Sequence, residues 1–167
     1  MANEAEIVKM WDKKHPNRKT EFQTHHGNLK IASGTQYEET NKWAVIRLAD
    51  KFPFEPYYSQ LCYVFDFTHS GRFKIGFYRR KDAPVDITAL ESELEKFKGK
   101  EIKGREITLK RTRHKTLMLR IEFDENSSAE YICDYMEKFI ELTQKPICDF
   151  LNKKNVPKLT RILPKNK

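Results

Sequence analysis

A chain of 167 residues with 38% hydrophobic and 12% aromatic residues holds enough apolar material for one well-buried core and too much for wholesale disorder. A formal net charge of +8, with 34% of the residues charged, directs attention to anionic partners, phosphate backbones first and acidic proteins second. No stretch approaches the roughly 20 apolar residues of a membrane span or the core of a signal peptide, and Cys62, Cys133 and Cys148 show neither paired nor zinc-ligating spacing, so a reducing, cytoplasmic setting without membrane contact is expected.

Residues 4–14 carry Ile7, Val8 and Trp11 at helical spacing and stop before His15 and Pro16, which predicts a short opening helix. Residues 17–39 are polar and broken by Gly27 and Gly34, with a short strand expected at 28–32. Residues 42–49, containing WAVIRLA, are apolar and β-rich. The following KFPFEPYYS holds Pro53 and Pro56, so a loop displaying Phe52, Phe54, Tyr57 and Tyr58 is expected there.

Residues 61–81, LCYVFDFTHSGRFKIGFYRRK, predict a hairpin. Phe73, Ile75 and Phe77 alternate with Arg72, Lys74 and Tyr78, and the period of two sends one set to a core and the other to the opposite sheet face. Asp86 and Thr88 then open a helix with Ile87, Leu90, Leu94 and Phe97 on one stripe. Thr88 and Glu91 match a capping box, and Gly99 or Gly104 ends the element. Residues 107–113 and 117–123 predict a second hairpin turning at His114 and Lys115, in which Leu117, Leu119, Ile121 and Phe123 alternate with Met118, Arg120 and Glu122. A second capping box, Ser127 and Glu130, precedes a long helix with Ile132, Met136, Phe139 and Ile140 inward. Pro146 should kink or break it, with Ile147, Phe150 and Leu151 continuing the apolar face.

This order describes an α+β domain over residues 1–152, a largely antiparallel sheet with helices packed on one face. The basic residues 153–167 are expected to form a loosely held tail.

From residue 61 to 151 the succession of hairpin, Glu-rich helix (ALESELEKF), basic strand pair and closing helix (YICDYMEKFIELTQKPICDFL) resembles an uncharacterised prokaryotic domain that often follows restriction-type nuclease domains of the PD-(D/E)XK class. The resemblance is one of element order and covers just over half the chain. It implies a role near DNA processing or phage defence, beside a nuclease or other defence protein, and it carries no catalytic residues onto this sequence.

Arg72, Lys74, Tyr78, Arg79 and Arg80 lie on or beside the first hairpin, and Lys110, Arg111, Arg113, Lys115 and Arg120 on or beside the second. If the hairpins share a sheet, these side chains are expected to converge on one cationic face that contacts nucleic-acid phosphates, those of DNA foremost. The competing role for such cations is to guard exposed strands and to cover apolar surface with their stems. Tyr57, Tyr58, Tyr63 and Tyr78 are candidates for stacking on unpaired bases, although strand aromatics more often build a core.

A metal nuclease needs clustered carboxylates with a lysine on a neighbouring strand. Asp66, preceded by Glu38, Glu39 and Asp50, lacks a following strand-borne acid and lysine pair, while Glu101 and Lys103 have the spacing but sit in a glycine-flanked turn. His15, His25, His26, His69 and His114 show no ligand spacing. His114 and Thr116 match one half of a paired phosphoesterase motif whose second copy is missing. No phosphate loop, nucleophile elbow or activated cysteine is present. No catalytic residue, metal or cofactor is therefore assigned. The chain is expected to be a nucleic-acid-binding accessory or recognition domain of a prokaryotic defence or restriction-type system. The alternative is a host- or phage-encoded regulatory module engaging an acidic partner through FPFEPYY and the long C-terminal helix, with a metal-dependent nuclease behind both.

Overall fold

The computed structural model describes residues 4–23, 29–31, 43–49, 57–69, 72–124 and 127–159, and within them the two alternating hairpins join into one antiparallel sheet. The elements are α1 (Glu4–Lys14), β1 (Glu21–Gln23), β2 (Leu29–Ile31), β3 (Trp43–Ala49), β4 (Tyr57–His69), β5 (Arg72–Arg79), α2 (Ile87–Leu94), β6 (Glu101–Ile102), β7 (Arg105–Glu106), β8 (Thr108–Arg111), β9 (Leu117–Asp124), α3 (Ala129–Lys153) and β10 (Lys158–Leu159). The strand order is β2-β1-β3-β4-β5-β9-β8, with β10 added to the start of β4 and β6–β7 forming a separate small hairpin. The fold is α+β, as the element order predicts.

From Leu61 to Phe67 in β4, and along Phe73–Arg79 of β5 and Leu117–Phe123 of β9, the odd-numbered residues face the helices. Tyr63, Phe65, Ile75, Phe77, Leu119 and Ile121 are fully buried there against Ile7, Trp11, Leu90, Met136 and Phe139. In register, Leu119 lies between Phe77 and Leu109, at the centre of this layer. Leu119→Ala is expected to cost about 2–5 kcal/mol, the transfer term plus an unfilled cavity. Urea unfolding would measure it, and a loss under about 1 kcal/mol would contradict the central placement.

Helix starts are set by short side chains one or two positions from the expected capping boxes. The Asp86 carboxylate, not Thr88, accepts from the Ala89 N–H at 2.9 Å, and Ser128, not Ser127, accepts from the Tyr131 N–H at 3.1 Å. Ser127 is buried. The long helix is not broken at Pro146 but runs through it. Strand β4 holds the helix on either side of the proline: the Tyr63 and Thr143 hydroxyls are 2.8 Å apart, and the Tyr58 hydroxyl donates to Asn152 Oδ1 at 2.7 Å. Both tyrosines are buried, so neither is a stacking surface.

Nor is the chain loosely held directly after residue 153. Asn155 adopts a φ of 55°, the Val156 N–H returns to the Leu151 carbonyl at 3.1 Å, and Val156 is buried. This left-handed helix stop turns the backbone so that β10 pairs with Tyr57 and Tyr58. The remainder of the expected tail lies outside the described residues, as do Phe52 and Phe54 of the expected loop. Among the described residues no helix is long and apolar enough to cross a membrane.

Candidate nucleic-acid interface

Register decides which of the ten expected site residues can act together. On the face away from the helices, Lys74 of β5 stands between Asp66 of β4 and Glu122 of β9 and is only 8% exposed. The next rows bring Val64, Gly76 and Arg120 together, and then Cys62, Tyr78 and Met118. Val45, Val64 and Met118 form a small buried cluster with Cys62 and Tyr78 packed on it. Among the described residues the expected cationic face is therefore not continuous: its middle is mostly apolar around Arg120, and Lys74 is flanked by acids. Tyr78 is half-buried, with its hydroxyl on Thr116, and burial raises its pKa. Arg120 is half-buried in mid-sheet. Arg72 pairs with His69 and Asp124 at the opposite end of β5, and its side chain lies outside the described residues.

Two further cations are on the helix side because they share the parity of Leu117, which stands opposite both Arg79 and Arg111. Arg111 reaches α2, donating to Glu91 Oε1 at 2.8 Å. Lys74 and Arg111 thus lie on opposite sheet faces.

Arg79 is 5% exposed and acts as a tie. Its guanidinium donates to the carbonyls of Arg80, Lys81, Ala83 and Val85 in the β5–α2 loop and, at 2.6 Å, to the Lys115 carbonyl in the β8–β9 turn. Burial lowers its pKa, with Asp86 and Asp82 pulling the other way. The β8–β9 turn has its own brace: the Thr112 hydroxyl accepts from the His114 and Thr116 N–H groups and meets the Thr116 hydroxyl at 2.7 Å.

The consequence is a basic rim at one end of the sheet. Arg80, Lys81, Lys110, Arg111, Arg113 and Lys115 gather on two loops and a strand end joined by one buried guanidinium. Arg80 faces Asp82 at 3.8 Å, and Arg111 is held by Glu91. Lys81, Lys110, Arg113 and Lys115 are exposed, and no described carboxylate is within ion-pair distance of them.

The rim continues along the sheet edge. Residues 96–115 contain nine Lys or Arg and two Glu, a net of +7 against +8 for the whole chain. The part before β8 folds as a small arm, with the Ile107 N–H on the Lys100 carbonyl at 2.8 Å and the Gly99 N–H on the Ile107 carbonyl at 2.9 Å. Lys98, Lys100, Lys103 and Arg105 on this arm are missing from the expected site. A charge count in a sliding window reveals them, whereas alternation does not, because the arm's strands are only two residues long.

Elsewhere, a cleft of about 440 Å3 lies between the end of α1 and α3, lined by His15, Arg18 and Glu137 among others. These three are engaged within the fold: His15 Nε2 meets Glu137 Oε2 at 2.7 Å, and the Arg18 guanidinium donates to Gln144 and to the Arg47 carbonyl. Burial pushes Arg18 down to about 10. Among the described residues no three His, Cys, Asp or Glu side chains come together as a metal-binding group; Glu38, Glu39, Asp50, His25 and His26 lie outside them. No protein-family model, curated protein or solved structure matches this chain.

Proposed function

We propose that this protein binds nucleic acid through phosphate contacts made by the basic arm, residues 96–115, and the adjoining β5–α2 loop. The observation that carries this reading is the gathering of Lys81, Lys110, Arg113 and Lys115, exposed and without a described acidic partner, on loops held together by Arg79. Holding like charges together is unfavourable in isolation, and a polyanion relieves that repulsion while releasing its own counterions. Phosphate contacts position a ligand without reading its sequence. DNA is the first ligand to test, and the element-order resemblance supplies a restriction or defence setting for it.

Replacing Lys81, Lys110, Arg113 and Lys115 by alanine is expected to weaken binding across sequences. The plot of log K against log salt should become shallower by about 0.9 for each duplex phosphate that is no longer neutralised, up to about 3.6 in all. An equal charge loss on the helical layer, Lys9, Lys13, Lys138 and Lys145 to alanine, should change that slope far less. Anisotropy titrations over a salt series would measure both. An unchanged affinity and slope in the rim variant would move the weight to an acidic protein partner.

A further inference from the structure

We propose that the nucleic acid bound by this chain presents an unpaired base that stacks on Tyr131. The inference rests on the phosphate-binding reading above and adds the ligand class. Among the described large hydrophobic side chains, Tyr131 is the exposed one, at 37%. It stands in the first turn of α3 but is not loose. Phe123 meets its ring nearly edge-on, with centroids 6.2 Å apart, and Tyr135 does so at 4.9 Å. The Tyr131 and Tyr135 hydroxyls are 3.1 Å apart, and the latter donates to the Lys103 carbonyl at 2.8 Å. An exposed ring whose orientation is already set loses little freedom when a flat partner covers it.

Two cations of the basic arm lie over that ring, and one of them, Lys103, is paired with the Asp134 carboxylate. The Arg105 guanidinium is 5.7 Å and the Lys103 ammonium 5.9 Å from its centre. Arg105 is itself positioned, over Phe123 at 4.8 Å and donating to the Glu122 carbonyl at 3.2 Å. An aromatic face beside cations at the end of a phosphate track is the arrangement by which single strands are held. A purely apolar partner would instead have to desolvate Lys103 and Arg105. Along β9, Leu117 at the rim and Glu122 beside Arg105 are five residues apart, about 17 Å at strand rise and a span of only a few nucleotides, so one strand can engage both. In an intact duplex the internal base faces are covered by their neighbours, and Tyr131 has nothing to stack on.

The test compares a labelled single strand with a blunt duplex by anisotropy, using wild type, Tyr131→Ala, Tyr131→Leu and Tyr131→Phe, each checked for folding by circular dichroism. Tyr131→Ala and Tyr131→Leu should lose roughly 5- to 150-fold in single-strand affinity, with duplex affinity and the single-strand salt slope unchanged. Tyr131→Phe, which keeps the ring, should bind as wild type. If the alanine variant does not fold, the leucine variant decides. Single-strand affinity unaltered in the ringless variants, or an equal loss on duplex, overturns the stacking inference while leaving the phosphate reading standing. Wild type that binds neither nucleic acid overturns both.

Discussion

Arg79→Ala is expected to destabilise the protein by about 3–5 kcal/mol, far more than the loss of any rim lysine. Five carbonyls, those of Arg80, Lys81, Ala83, Val85 and Lys115, accept from this one guanidinium. Hydrogen bonds to a charged group contribute about 1.5–3 kcal/mol each, and the sum is reduced here because water can reach part of the loop once the side chain is gone. Lysine should restore less than half of the loss, since a single ammonium cannot span two loops as a planar fork does. The variant should also bind nucleic acid more weakly although every rim cation is retained, because the tie between Lys115 and the Arg80–Lys81 backbone is cut. Urea unfolding and anisotropy on the same samples would show both effects. A stability loss under about 1 kcal/mol would mean that the loops hold themselves and that Arg79 is a passenger.

Gly76→Ala is expected to cost at least about 3 kcal/mol, at the top of the usual range for overpacking. A Cβ at this position would lie 2.0 Å from the Leu119 carbonyl oxygen and 2.8 Å from the Arg120 Cα. Both obstacles are backbone, and a Cβ cannot rotate away from them. Strand β5 would have to separate from β9, disturbing the pairing that runs from Arg72 opposite Asp124 to Arg79 opposite Leu117. Gly99→Ala is the informative contrast: its φ of +88° is strained for an L side chain, yet nothing lies within 4 Å of the added carbon. That substitution should cost only the conformational penalty, about 1–2 kcal/mol. Equal, small losses at both positions would show that the two strands have room to part.

The two expected effects separate what supports the rim from what forms it. Arg79 and Gly76 are scaffold, and Lys81, Lys110, Arg113 and Lys115 are the proposed contact groups, so variants of the first kind should lower stability and those of the second should lower the salt slope with little change in unfolding. A salt slope that fell with stability in every variant would indicate that binding merely reports folding.

The sequence by itself determined the α+β class, the main helices and the core face of the central strands, whereas the run of α3 through Pro146, the start of β4 at Tyr57 and the pairing of β10 came from tertiary contacts. Alternation of Phe73, Ile75 and Phe77, and of Leu117, Leu119, Ile121 and Phe123, is a local property, and one buried face suffices to set the parity of a strand. The composition also established that the chain is basic. Only the tertiary structure decided where that charge is usable. Parity says which residues share a face within one strand, whereas the neighbours across the sheet come from register, and register put Asp66 and Glu122 beside Lys74. Arg79 reads as one more surface cation until the loops that fold over it supply five acceptors. Tyr131 carries no sequence signal of its own and becomes notable only when Phe123 and Tyr135 are seen to hold it at the surface. Burial and charge pairing arise between segments distant in the chain, and no local pattern encodes them.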